Sequence, residues 1–132
     1  MAPDLIQGEQ MFFAGDYQGA FDVFQRIAHD VSRSVADRSV AFSSMSSLVV
    51  AMPFLHPDDQ TGLCFLQRAI ELDSENDYAW WCVVESFGEH YPAHQDTHLL
   101  RRAISFLDRR SLTADERVRL RDQRARVERH LS

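Results

Sequence analysis

Residues 8–24 read GEQMFFAGDYQGAFDVF, and they carry the strongest indications of helical structure in the chain. Its Gly15-Asp16 pair predicts a tight turn whose aspartate caps the helix that follows. After the turn, apolar residues recur at helical spacing over four turns, which predicts an amphipathic helix with one buried face. These residues are Tyr17, Ala20, Phe21, Phe24, Ile27, Ala28 and Val31. The stretch therefore predicts two helices joined by a short turn.

Helical spacing continues along the whole chain, and alternating β-branched runs bounded by turns do not occur. Seven helices are predicted, at about 3–14, 17–31, 34–52, 58–73, 76–90, 94–109 and 113–131. Pro53 and Pro57 bracket the longest connection, and Pro92 separates the fifth helix from the sixth. A capping box, Thr113-x-x-Glu116, opens the last helix. Because the loops are short, consecutive helices are expected to pack antiparallel.

One pattern of small and large side chains occurs three times in the chain. The three sets are Ala20, Phe24, Ile27 and Ala28; Gly62, Leu66, Ala69 and Ile70; and Asp96, Leu100, Ala103 and Ile104. The second and third sets are 34 residues apart, whereas the first and second are 42 apart. An insertion at residues 52–59 accounts for the difference. The sequence therefore predicts a repeating pair of helices with a period of 34 residues.

This period resembles that of the tetratricopeptide-repeat (TPR) family, and two segments carry the resemblance. The first is Gly8-x-x-Met11-x-x-x-Gly15-Asp16-Tyr17-x-x-Ala20-x-x-x-Phe24. It is similar to a first repeat in the small residue of its first helix, its Gly-Asp-Tyr turn, its alanine and its aromatic residue. The second is Ala69-Ile70-Glu71-Leu72-Asp73-Ser74 followed by Trp80-x-x-Val83-Val84-x-x-Phe87, which resembles the end of one repeat and the start of the next. The sequence departs from the family at Asp4 in place of the opening tryptophan, Ser74 in place of the closing proline and Asp96 in place of alanine.

The resemblance implies one all-α domain over residues 1–132, a right-handed α-α superhelix of about seven antiparallel helices. Its repeats would span about 2–33, 34–74 and 77–109, with a capping helix at 113–131. The alternative is another helical bundle with coincidental spacing. In TPR proteins the first helices of successive repeats line a concave groove that holds another protein. In this chain the corresponding residues are Leu5, Glu9, Phe12 and Phe13; Ala36, Ser39, Ser43, Ser46 and Ser47; and Tyr78, Trp81, Glu85 and Glu89.

Two parts of this groove have alternative interpretations. The third helix is expected to bury Val40, Ala41, Phe42, Met45, Leu48 and Val49. Its serines then either line the groove or permit close packing of neighbouring helices. Trp81 either faces the groove or packs against the third or seventh helix. Glu9, Glu85 and Glu89 would make the groove negative, so the expected partner is a protein or peptide with apolar anchors and basic residues.

Charge and composition exclude several classes of function. The net charge is −6, with −11 in residues 1–100 and +5 in residues 101–132, and all 14 basic residues are arginine. A chain without lysine has no lysine Schiff base, no lysine-dependent phosphate loop and no lysine clamp for acidic chain ends. Neither a signal peptide nor a membrane span is predicted, and Cys64 and Cys82 are expected to be buried thiols. The predicted compartment is the cytoplasm.

Two further classes remain as alternatives to a protein-binding module. His94 and His98 could hold the metal of a helical enzyme, with His90 nearby, but Pro92 interrupts this segment and the sequence supplies no evident third ligand. The Arg-rich last helix could contact nucleic acid, or pair with the acidic part of a second copy to give a homodimer. Interspersed acids instead favour a solvated, salt-bridged face. We therefore predict a small adaptor without cofactor, metal or catalytic residues, a class that includes chaperones of secreted proteins and neutralisers of toxins.

Overall fold

A computed structural model describes residues 2–51, 59–87 and 97–131 of the chain. Within these ranges all regular secondary structure is helical, which confirms the predicted all-α class. The helices are α1 (Pro3–Phe13), α2 (Tyr17–Ala28), α3 (Val35–Ala51), α4 (Asp59–Leu72), α5 (Asp77–Cys82), α6 (Thr97–Asp108) and α7 (Ala114–Leu131). A π-helical segment, Val83–Phe87, continues α5. Pro53, Pro57, Pro92, Asp96 and nearly all of the predicted insertion lie outside the described residues.

The turn between α1 and α2 forms as the sequence predicts. Gly15 has a φ of +87°, a conformation that side chains with a Cβ rarely adopt. Asp16 caps α2, since its Oδ1 accepts a hydrogen bond from the Gly19 amide at 3.0 Å. At its other end α2 stops at Ala28, earlier than predicted. Val31 therefore lies beyond the helix and is 81% exposed, so its assignment to the buried stripe was wrong.

The chain divides into two compact units, Met1–Ala79 and Trp80–Ser132, and the boundary falls within α5. In the first unit α1 packs on α2, α2 on α3, and α3 on α4. Phe42 is central to the core, where its ring lies 6.2 Å from the ring of Phe65. Cys64 is exposed, contrary to expectation, because it shares the outer face of α4 with Arg68 and Glu71. Each large side chain buried here contributes roughly 1.5–3 kcal/mol of stability.

An ion pair links the start of α1 to the loop between α2 and α3. Arg33 Nη1 donates to Asp4 Oδ1 at 3.0 Å, and Nη2 pairs with Oδ2. The hydrogen bond from Arg33 lowers the pKa of the Asp4 carboxyl below its ordinary value. The position where the TPR resemblance would place a tryptophan therefore carries a two-pronged contact with arginine instead.

The lowered pKa of Asp4 predicts that the protein loses stability at acid pH. The ionised Asp4 carboxylate stabilises the fold above its ordinary pKa, and the contribution is lost as the pH falls through the folded-state pKa. Thermal midpoints of the native protein and Asp4→Asn should therefore differ near neutral pH and converge as the solution is acidified. Asp22→Asn, which removes an exposed carboxylate of α2, is the control and should show no such convergence. A gap that stays constant down to acid pH would contradict the role of the ion pair.

The second unit is organised around the π-helical segment. The segment packs against both α6 and α7, and these two helices also contact each other. Val83, Val84 and Leu107 are fully buried in its core. The predicted capping box at the start of α7 is confirmed, because the Thr113 amide donates to Glu116 Oε1 at 2.9 Å and the Glu116 amide donates to Thr113 Oγ1 at 3.2 Å.

Candidate functional site

The first unit contains a cavity of about 380 Å³ beside α1 and α3. Most of the residues that line it are apolar or aromatic, and the rest are one acid and two serines. They are Leu5, Glu9, Phe12, Phe13, Phe24, Val40, Ser44, Ser47 and Tyr78. A cavity of this size and composition is suited to an apolar side chain with one polar group beside it.

The aromatic residues give the cavity a buried base and an exposed rim. Leu5 and Phe24 are buried, whereas Phe13 is 77% exposed and Tyr78 is 44% exposed. Phe12 is half-buried, and its ring packs edge-on against the Phe13 ring at a centroid distance of 5.5 Å. Exposed aromatic side chains at the rim of a cavity are typical anchors in protein interfaces.

Polar groups at the cavity are few and have distinct positions. Glu9 is exposed on α1 and is the single charged residue of the lining. Ser47 Oγ and Tyr78 Oη lie 2.6 Å apart, a hydrogen bond that joins α3 to the start of α5. The described lining therefore combines apolar surface with one carboxylate, which suits an apolar group that has a cation next to it.

Six residues that the sequence assigned to the groove line this cavity. They are Leu5, Glu9, Phe12, Phe13, Ser47 and Tyr78. The structure thus brings together the predicted residues of α1 with one from α3 and one from α5.

No protein-family model, curated protein or solved structure matches this chain. Function is therefore inferred from the residues at the cavity and from the way they are held. Within the described ranges, none of the helices has the length and apolar character needed to cross a bilayer.

Ser39, Ser43 and Ser46 were wrongly assigned to the groove, because all three are buried. Ser39 Oγ donates to the Ala69 carbonyl at 2.7 Å, and Ser43 Oγ donates to the Ser39 carbonyl at 3.0 Å. Asn76 Nδ2 donates to both hydroxyls, at 2.9 Å and 3.2 Å. A serine hydroxyl can bond to a carbonyl one turn earlier and needs little space, so these positions pack closely against α4 instead of facing solvent.

Trp81 and Glu85 do not line the cavity either; both lie in the second unit, where Arg119 of α7 contacts them. The Arg119 guanidinium lies 4.7 Å from the centroid of the Trp81 ring, and Arg119 also forms an ion pair with Glu85. This contact with the seventh helix is one of the two alternatives that the sequence left open for Trp81. Glu89, the last predicted groove residue, lies outside the described residues.

The sequence interpretation missed Phe24, Val40 and Ser44 as cavity residues. Val40, Ser44 and Ser47 follow the i, i+4, i+7 spacing of one helical face, so the pattern was present in the sequence. It was overlooked because Val40 was assigned to the core and Ser44 was not assigned to the groove. The face of α3 that lines the cavity is the half-buried one that carries these three residues.

The described residues offer little to the metal-site alternative. Among them, no three His, Cys, Asp or Glu side chains lie close enough together to hold a metal ion. His98 is exposed on α6, and His90 and His94 lie outside the described residues. On α7, Arg119 and Arg124 form ion pairs with Glu85 and Asp108, as expected for a salt-bridged helix face.

Proposed function

We propose that the protein is a TPR-like binding module whose first unit holds a segment of another protein. The observation that carries the proposal is the aromatic cavity of about 380 Å³, with Phe13 and Tyr78 exposed at its rim. The module is non-catalytic in this proposal. Its partner inserts an apolar side chain between α1 and α3, and binding is driven by removal of the exposed aromatic surface from water.

The right-handed superhelix is part of the proposal and is supported by packing at small residues. In the first unit each helix from α1 to α4 packs against the next, as successive repeats require. A Cβ placed on Gly8 would lie 2.8 Å from Cζ of Phe24, so the ring sits directly on the glycine. Ala20 and Gly62, which occupy equivalent positions in the pattern, are both buried. Small residues at these positions allow close helix approach, which a stack of helical pairs needs.

Charge limits the chemistry of the partner. Glu9 is exposed beside the cavity, and Glu85 is engaged by Arg119 in the other unit. A segment with an aromatic or aliphatic anchor and one arginine or lysine close to it therefore complements the site best. A helical or extended segment of a partner protein meets this description. Chaperones of secreted proteins, neutralisers of toxins and general adaptors all use such binding, and the proposal covers the three.

Peptide selection tests the proposal without knowledge of the natural partner. The full chain should enrich, from a displayed random library, peptides with an apolar anchor next to a basic residue. Phe13→Ser should weaken binding of a selected peptide about tenfold or more, because truncation of an interface anchor typically has that effect. Glu9→Arg should weaken the same peptide and should favour a version in which its basic residue is replaced by glutamate.

Two variants away from the cavity serve as matched controls. Val31→Ser removes an apolar side chain that is 81% exposed and does not line the cavity. Glu71→Arg reverses an exposed charge on α4. Both should bind the selected peptide as the native protein does. Equal affinities for Phe13→Ser and Val31→Ser, or enrichment of peptides without apolar anchors, would show that the cavity is not the binding site.

A further inference from the structure

The second unit contains a second cavity, of about 270 Å³, with a very different lining. It lies where the end of α6, the connecting segment and the first turns of α7 meet. Its lining residues are Asp108, Arg110, Leu112, Arg117, Leu120, Arg121 and Arg124. Four arginines and one aspartate give the lining a formal charge of +3.

Three of these arginines share one face of α7. Arg117, Arg121 and Arg124 follow the i, i+4, i+7 spacing, which places like charges next to one another along the helix. Neighbouring like charges on a helix are destabilising. Arg124 Nη2 pairs with Asp108 Oδ2 at 2.8 Å, and Arg121 Nε lies 3.8 Å from the exposed Asp122. An anion in the cavity would complete the compensation.

The fourth arginine lies in the segment between α6 and α7 and is held in place by an aromatic ring. The Arg110 guanidinium lies 4.4 Å from the centroid of the Phe106 ring, a stacking contact that restricts its rotamers. Leu120 of α7 is buried beneath the cavity and fixes the helix that carries the other three arginines. Guanidinium groups positioned in this way lose less conformational freedom when they bind a ligand.

We propose that this cavity, which we call the arginine cavity, binds a small anion that bears phosphate groups. The planar guanidinium group matches the oxygens of phosphate with paired hydrogen bonds, and it remains charged at any physiological pH. Four guanidinium groups in a cavity of this size could bond to several phosphate oxygens at once. All of the described lining residues belong to the second unit, so this proposal does not rest on the one made for the first unit.

The composition of α7 favours a compact anion over nucleic acid. Asp115, Glu116, Asp122 and Glu128 interrupt the positive charge along the helix, so a continuous phosphate backbone would meet repulsion. Among the described residues, the lining of the arginine cavity also contains no aromatic residue on which a base could stack. The four arginines of the arginine cavity place positive charge in one small region. This suits a ligand whose negative charge is confined to one or two phosphate groups.

Calorimetric titration of the full chain with pyrophosphate at low salt tests this proposal. The native protein should bind pyrophosphate, and the double variant Arg117→Gln/Arg121→Gln should bind it at least about tenfold more weakly, since each hydrogen bond between charged groups is strong. Asp108→Asn removes the one carboxylate of the lining and should strengthen binding. Both changes also follow the net charge of the protein, so an arginine variant outside the cavity is needed to show that the ligand lies within it.

Arg129→Gln is the matched control, because it removes one exposed arginine of the same helix outside the cavity. It should bind pyrophosphate as the native protein does, and circular dichroism should show that all variants remain helical. Absence of pyrophosphate binding by the native protein would overturn the proposal. So would a loss in Arg129→Gln as large as the loss in Arg117→Gln or in Arg121→Gln made singly. Tighter binding of a single-stranded oligonucleotide than of pyrophosphate, with the same arginine dependence, would replace it by a nucleic-acid site.

Discussion

Trp80→Ala is expected to lower the free energy of unfolding of the second unit by about 3–5 kcal/mol, the usual cost of removing a large aromatic side chain from a core. Trp80 is 3% exposed. Its ring stacks on Phe106 at a centroid distance of 5.2 Å and an interplanar angle of 25°, and the Arg102 guanidinium lies 5.4 Å from its centroid. The cavity left behind cannot collapse easily because Val83 and Val84 beside it in sequence are also buried. Urea denaturation followed by circular dichroism measures the loss.

The neighbouring tryptophan provides the control for this prediction. Trp81→Ala makes the same chemical change one residue later, but Trp81 is only half-buried and its described contact is the guanidinium of Arg119. A contact of this kind contributes roughly 0.5–1 kcal/mol at an exposed site. Trp81→Ala should therefore destabilise the unit much less than Trp80→Ala. A loss in Trp81→Ala as large as that in Trp80→Ala would show that the two rings are wrongly assigned to core and surface.

Phe24→Ala should have a comparably large effect in the first unit, again about 3–5 kcal/mol. Phe24 is 3% exposed and forms part of the base of the peptide cavity. Phe13→Ala is the matched control, since the same truncation at a side chain that is 77% exposed should change stability by less than about 0.5 kcal/mol. The two variants therefore separate the structural role of one cavity phenylalanine from the binding role proposed for the other. Equal losses of stability would contradict this division.

Gly8 gives a second, independent test of the Phe24 packing. In the native protein, Gly8→Ala should be destabilising because its new Cβ would lie 2.8 Å from the Phe24 ring. In the Phe24→Ala background the ring is absent, and alanine should then stabilise α1 through its higher helix propensity, by up to about 1 kcal/mol. The sign of the Gly8→Ala effect is therefore expected to reverse between the two backgrounds. If the sign is the same in both, the ring does not lie on the glycine.

The helices could be predicted from the sequence, and so could those helix ends that a local interaction determines. The Asp16 cap, the left-handed Gly15 and the Thr113–Glu116 capping box each depend on residues that are close in sequence, so their geometry follows from spacing alone. The residues of α1 that line the cavity were also predictable. They lie on a helix with simple amphipathic spacing, and this helix forms without interruption.

The wrong groove assignments depend on contacts between residues that are far apart in the sequence, and no local pattern indicates such contacts. Burial of Ser39 depends on the carbonyl of Ala69 in another helix and on the side chain of Asn76. In the fifth helix, prediction assumed uninterrupted α-helical spacing from Tyr78 to Glu89. The structure instead changes to a π-helical segment at Val83, where the wider turn shifts the positions that follow. The position of Arg119 over Trp81 is likewise set by tertiary packing.

The boundary between Ala79 and Trp80 has a practical consequence for spectroscopy. Both tryptophans of the chain lie on one side of it, and the described tyrosines Tyr17 and Tyr78 lie on the other. Indole emission therefore samples the surroundings of one unit, whereas the far-ultraviolet amide signal samples the helices of both. Recording the two signals during a single denaturation experiment would show, without any label, whether the two units unfold together or one after the other.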